Sequence, residues 1–292
     1  MFLGQGQVYE ESSQLLTRLC KVNLSGKQIE NLCHHYGEKL EELVEEQVIS
    51  TKKESDLHYV MVDGSYIMSR ENGWTEAKVG RVFKQEDNFA ISEKRAIIKE
   101  STYVAHIGNH LDFCEKLSPI LDPLSNMVFI ADGATWFWKW IATYYPNSIQ
   151  ILDFFHSYEK ICQWATITLK DKLLCSEWCE SCKNLLLNNQ VDEVIIQVQE
   201  TDCNGESKEK KEALLTYLNN NRRRMQYKTY LGLGYLIGSG AIEAAQRSVI
   251  QHRMKRSGQR WTLKGGQQLL NIRTARMSNR WDKIVNLVKM VA

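Results

Sequence analysis

Three carboxylates in this chain of 292 residues have the type and setting for phosphate chemistry. Asp63 closes the run VMVDG and Asp132 the run VFIADG. Each is expected at the end of an apolar strand, followed by a glycine where backbone crowding is least. Either Asp-Gly alone is ordinary turn chemistry. The matching pair suggests a divalent-metal site, because carboxylate oxygens suit Mg²⁺, which keeps its other positions for water and substrate phosphate. A two-ion site sets the metals ~3.5–4 Å apart, and Mn²⁺ is an expected substitute. A third carboxylate is then needed. Glu243 is the only acidic residue between Glu212 and Asp282 and stands in the most basic segment of the chain. Ser239 as an N-cap places it in the first turn of a helix.

His156 lies three residues past Asp153, at an expected strand-to-helix junction. It could orient a phosphate or a flipped base, or donate to a scissile strand; a histidine bonded to a backbone group is the ordinary alternative. Arg247, Gln251, Arg253, Lys255, Arg256 and Arg260 follow Glu243. Helical spacing sets Glu243, Arg247 and Gln251 on one face, and the cations there would bind DNA phosphates with strong salt dependence. A solvated charged face is the alternative for such a run. Cys175, Cys179, Cys182 and Cys203 have a spacing that a zinc site could use, but in a helix the first three read as a buried stripe. Trp136, Trp138 and Trp140 read as packing residues, with stacking on unpaired bases a lesser option.

The elements that must position these groups follow from apolar periodicity. Residues 11–20 and 25–48 read as two helices, the second opened by a Ser25-x-x-Gln28 capping box. A DNA-reading helix-turn-helix would turn Lys27, Gln28, Asn31 and His34 outward, but glutamates at 38, 41, 42, 45 and 46 would repel phosphate there. Strands are expected at LHYVMVDG, EAKVGRVF and TYVAHIG, with a helix-like stretch in the 84–100 link. A helix near 109–117, a strand at 126–133, a Trp-rich helix and a strand at 148–154 come next. This order describes an α/β protein: an RNase H-like mixed sheet with flanking helices, interrupted by an all-α insertion domain. The expected division is a helical region over 1–55, the first part of the core over 56–156, the insertion over 157–235, and C-terminal core helices over 236–292.

Composition fits that plan. With 43% hydrophobic and 25% charged residues the chain is globular, and no apolar run approaches the ~20 residues of a membrane span. The first residues lack a secretory signal, so a cytoplasmic location with reduced cysteines is expected. The net charge of +2 hides an asymmetry: residues 222–292 hold 15 Lys/Arg against Glu243 and Asp282, so that segment stands at +13 and the rest at −11. A polyanion partner for one face is the expectation.

The segments VMVDGSYI, WTEAKVGRVF, FIADGATWFW, IQILDFFHSYEKI, IGSGAIEAAQRSVIQHRMKRSGQRW and LLNIRTARMSNRWD resemble, in order, the DDE transposases of bacterial insertion sequences, of the group with a D-x-x-H motif after the second aspartate. The resemblance implies a metal-binding triad of Asp63, Asp132 and Glu243, with Asp153 and His156 as the D-x-x-H pair. It implies two Mg²⁺ ions, transposon-end and target DNA as partners, symmetric assembly on two ends, and a nucleoid association when bound. It implies hydrolysis of one phosphodiester at each end and joining of the 3′-OH to target DNA. Family members carry a longer N-terminal DNA-binding region, so a shortened one is expected here. A DNA-binding remnant that no longer cleaves, or another RNase H-like nuclease, would share these features.

Overall fold

A computed structural model describes residues 1–42, 56–92 and 95–291. The chain divides into two compact units, one of residues 1–127 with 240–292 and the other of residues 128–239.

The first unit is built on an antiparallel meander. β1 (Leu57–Ser69) pairs along its whole length with β2 (Gly73–Lys84), and β2 pairs with β5 (Thr102–Ile107). Tyr59, Val60, Met61, Val79, Val82 and Ala105 are buried in this sheet. β1 does not stop at Asp63, where a strand end was expected. The SYIMS segment continues it, burying Ser65, Ile67 and Ser69 while Tyr66 faces solvent, and the turn comes at residues 70–72. Gly73 takes φ +68° there, the left-handed conformation a glycine adopts without strain. The 84–100 link holds a second hairpin, β3 (Asn88–Ser92) with β4 (Arg95–Ile98), where a helix-like stretch was expected. The β-branched and aromatic residues of NFAIS and RAII favour the strand over the helix. Residues 93 and 94 of that link lie outside the described ones.

Helices pack on the meander from both ends of the chain. α1 (Tyr9–Leu15) and α2 (Gly26–Glu42) precede it; the expected continuation of α2 to residue 48 lies outside the described residues. The capping box forms, with Gln28 N donating to Ser25 Oγ at 3.2 Å and Ser25 N to Gln28 Oε1 at 2.8 Å. α3 (His110–Leu121) follows β5, and α12 (Leu263–Met277) lies across α2 and β5. Gly37 is required at that crossing, because a Cβ there would strike the Gln268 backbone. Asn271 Nδ2 donates to the Gly37 carbonyl at 3.0 Å and Gln267 Oε1 accepts from Ile107 N at 2.8 Å, so α12 is fixed by polar bonds as well as apolar burial. α13 (Trp281–Val291) ends the chain.

The second unit takes most of β6 (Asn126–Ala131) with β7 (Ile149–Leu152), paired in parallel and linked through α4 (Thr135–Tyr144), followed by five helices. These are α5 (Phe154–Thr168), α6 (Lys172–Leu187), α7 (Val191–Glu200), α8 (Glu206–Asn221) and α9 (Tyr227–Gly232). A parallel pair joined by a helix, together with an antiparallel meander and its helices, makes the fold a mixed α/β of RNase H-like plan. No described helix is long and apolar enough to cross a membrane.

Candidate functional site

In the first unit the helix that carries Glu243 is laid on β1 and β2. α10 (Gly240–Ala245) carries Glu243, exposed, in its first turn. Two bonds hold this helix. Buried Arg81 of β2 donates through Nη1 to the Ala241 carbonyl at 2.8 Å, and Gln246 Nε2 donates to the main-chain carbonyl of Asp63 at 2.8 Å. Asp63 therefore sits mid-strand, with the Glu243 helix tied to its own peptide. Asp63 Oδ1 accepts from Gly64 N at 2.7 Å. Gly64 serves a close approach rather than a turn: a Cβ there would run into the carboxylate of Glu76 on β2. Glu76 in turn receives Lys78 Nζ at 2.6 Å, and the Lys78 amine also reaches the Gly108 carbonyl at 2.8 Å. Glu76 was not singled out from the sequence, since nothing in WTEAKVG marks a carboxylate that the β1–β2 pairing brings against Gly64.

The helix expected over residues 241–256 is not regular. α10 gives way to a π turn over Gln246–Gln251 and then to α11 (His252–Met254). Such wide turns are uncommon and concentrate at functional sites. Glu243, Arg247 and Gln251 all remain exposed, as do Lys255 and Arg260, while Arg256 is partly covered and bonds Glu11 and Gln7 at 3.2 Å each. Arg253 does not join this face. It is 1% exposed, with its guanidinium 4.7 Å from the Tyr9 ring and 4.9 Å from the Trp261 ring, and it donates to the Gly4 carbonyl. Burial lowers its pKa, as it does for Arg273, whose pKa is pulled down to about 9 with help from Arg253 and its neighbours. Arg273 bonds only carbonyl oxygens, of Val249, Ser248 and Gln5. Part of the +13 segment is thus internal scaffolding. The loop after α11 is pinned by Trp261, which exchanges main-chain bonds with Met68 and Arg70 at the end of β1 and donates its indole N–H to Met254.

The second unit holds Asp132, Asp153 and His156. Asp132 follows the last residue of β6, is exposed, and accepts from Ala134 N at 3.1 Å in the turn that starts α4. Trp138 fixes the same turn by donating Nε1 to the Asp132 carbonyl at 3.2 Å. A Cβ on Gly133 would strike the ring of Tyr217 on α8, so the glycine after Asp132 also answers a close approach. Tyr217, absent from the sequence reading because it stands in a polar helix far along the chain, has a buried hydroxyl without a hydrogen-bond partner among the described residues. Burial raises its pKa, and the charges of Asp132 and Asp153 raise it further.

The Asp153-x-x-His156 spacing is a helix cap. Asp153, fully buried, takes the N-cap of α5; its Oδ1 accepts from His156 N at 2.7 Å and its Oδ2 from Ser239 N. Burial alone would raise this carboxyl, but the bonds from His156 and Ser239 outweigh it and hold it below the usual carboxylate range. The His156 ring, 39% exposed, keeps Nδ1 3.3 Å from Asp153 Oδ1. Phe154 N donates to the Ile237 carbonyl, and Gly238 lies where a Cβ would enter the Phe155 ring. The IGS of the IGSGAIEAA segment therefore wraps the start of α5.

All eight cysteines are free thiols. Cys179 and Cys182 are buried on α6, and burial pushes the Cys182 thiol up to about 12, which opposes the thiolate that zinc requires. Among the described residues no group of three or more His, Cys, Asp or Glu side chains converges on one point.

A family model described as "Uncharacterised protein family (UPF0236)" matches residues 5–290. The chain belongs to this family. The match runs through both units. No curated protein matches the chain significantly.

Proposed function

We propose that this member of the family is a DNA transposase, cutting a phosphodiester at transposon ends and transferring the 3′-OH into target DNA. Asp63, Asp132 and Glu243 are its essential carboxylates. The observation that carries the reading is the bond from Gln246 to the Asp63 carbonyl. It ties an otherwise isolated acidic residue, Glu243, to the strand bearing Asp63 and leaves Arg247, Gln251, Lys255 and Arg260 facing solvent beside it.

Oxygen-only donors of this kind suit Mg²⁺, the cation this reading assigns to the three carboxylates. Bound there, the cation supplies charge neutralisation at a phosphodiester undergoing in-line displacement. The chain's own residues do the rest. Gly64 and Gly133 let the backbone beside each aspartate be approached closely, Arg81 and Gln246 hold the helix of Glu243, and the exposed cations bind the DNA backbone. On this reading His156, at the first turn of α5 capped by Asp153, hydrogen-bonds a phosphate oxygen or a base.

The test is strand cleavage and DNA binding measured in parallel for Asp63→Asn, Asp132→Asn and Glu243→Gln. Each variant is expected to lose cleavage and keep binding. Retained cleavage in one removes that residue from the assignment; retained cleavage in all three defeats the reading.

A further inference from the structure

A cleft of about 480 Å³ opens in the second unit between α4 and α8, and one of its walls is Gly133, the residue after Asp132. Its size falls within the ~300–1,000 Å³ of small-ligand sites. That volume is enough for one nucleotide unit. Thr135, Lys139, Thr216, Tyr217, Asn220 and Arg224 line it, and none of the described lining residues is a carboxylate.

Among the described residues no carboxylate pairs with the cations of the cleft. Arg224 is half-buried, and its guanidinium bonds only neutral oxygens: Gln150 Oε1 at 2.9 Å, the Asn220 carbonyl at 3.2 Å and Asn221 Oδ1 at 3.3 Å. Its face lies 4.6 Å from the Trp138 ring, which fixes its plane. Lys139, one turn along α4 from Thr135, is exposed and has no ion pair among the described residues. A half-buried guanidinium held by neutral groups favours an anion, and Arg presents a planar fork to phosphate. Tyr217 on the same wall has a buried hydroxyl with no hydrogen-bond partner among the described residues. Hydroxyls and amides beside two cations match the sugar-phosphate and base edges of nucleic acid.

We propose that this cleft binds one phosphodiester unit of unpaired DNA, with Lys139 and Arg224 on its phosphate. The inference rests on the transposase reading, and it adds a single-strand subsite carried by α4 and α8. On this account the strand beside a phosphate at Asp132 enters the cleft past Gly133, and Tyr217 forms the wall shared by both.

The test uses the full chain and a fluorescent oligothymidylate of twelve nucleotides in metal-free buffer, with binding read by anisotropy across a salt series. Lys139→Gln is expected to weaken binding and to reduce the slope of log K against log salt by about 0.7, the contribution of one phosphate contact on a single strand. Asn220→Asp, which places a carboxylate at the exposed rim, is expected to weaken binding about fivefold or more. Both residues are exposed, so thermal unfolding should be unchanged. An unchanged slope and affinity in both Lys139→Gln and Asn220→Asp overturns the subsite, as does failure of the unaltered chain to bind the oligonucleotide. Neither outcome depends on strand cleavage, so a failed subsite and a failed transposase reading are told apart.

Discussion

Replacing Asp153 should show how much of the second unit rests on one buried carboxylate. In Asp153→Ala, α5 loses its N-cap bond to His156 N, a change of about 1 kcal/mol. Ser239 N, in a residue only 3% exposed, loses its acceptor as well, which costs about 1–3 kcal/mol. Relief of the carboxylate's desolvation offsets a part, so the expected loss is about 2–3 kcal/mol at pH 7. Asp153→Asn keeps one acceptor oxygen and should lose about 1 kcal/mol. The sign of the pH dependence follows from the same bonds. The folded-state pKa is held below the unfolded value of ~3.9, so the stabilisation is complete above that value and is lost as pH falls through the folded pKa. The gap between the unaltered chain and Asp153→Asn should therefore close in acid. Urea unfolding followed by circular dichroism from pH 7 to pH 3 reads both effects. A loss under 0.5 kcal/mol for Asp153→Ala, or a gap that widens in acid, refutes the capping argument.

Four other outcomes are expected. Gly133→Ala should destabilise by about 1–3 kcal/mol in thermal unfolding, because the new methyl meets the Tyr217 ring, whereas Gly240→Ala, with open space around it, should not cost packing. Arg273→Met leaves the carbonyls of Val249, Ser248 and Gln5 without their donor and should cost about 2–4 kcal/mol in urea unfolding. Arg247→Ala and Arg260→Ala should each lower the salt slope of duplex binding by about 0.9 with stability unchanged, while Arg253→Ala should chiefly destabilise. Burial lowers the pKa values of His34 and His106, so the unfolded chain takes up protons first. Stability should fall as pH drops below ~6.5, and a His34→Gln, His106→Gln double variant should flatten that fall in urea unfolding.

Much of the fold could be read from local pattern. The Ser25–Gln28 box and the apolar runs of β2, β5, β6 and β7 each act within a few residues, and each forms as expected. What pairing over distance decides was not legible. VMVDG looked like a strand end because Asp-Gly is common in turns, yet β2 pairs past it and Gly64 makes room for Glu76. The spacing of HRMKR gave each cation equal claim to solvent, but the π turn and the packing of Tyr9 and Trp261 draw Arg253 inside. Tyr217 and Arg224 acquire meaning only when α8 is laid beside α4, a contact that no short motif encodes. The Asp153–His156 pair was recognisable as a motif, and its capping geometry supplies a physical reason for the spacing.

The central claim is tested most directly by strand cleavage of a labelled duplex carrying the terminal repeat of the chain's own element, with Mg²⁺ or Mn²⁺, comparing the unaltered protein with Glu243→Gln. The account predicts a cut leaving a 3′-OH at the element end, dependent on the cation and absent in the variant, with equal duplex binding by both. Cleavage that survives in Glu243→Gln, or salt-sensitive binding without cleavage by the unaltered protein, would contradict it.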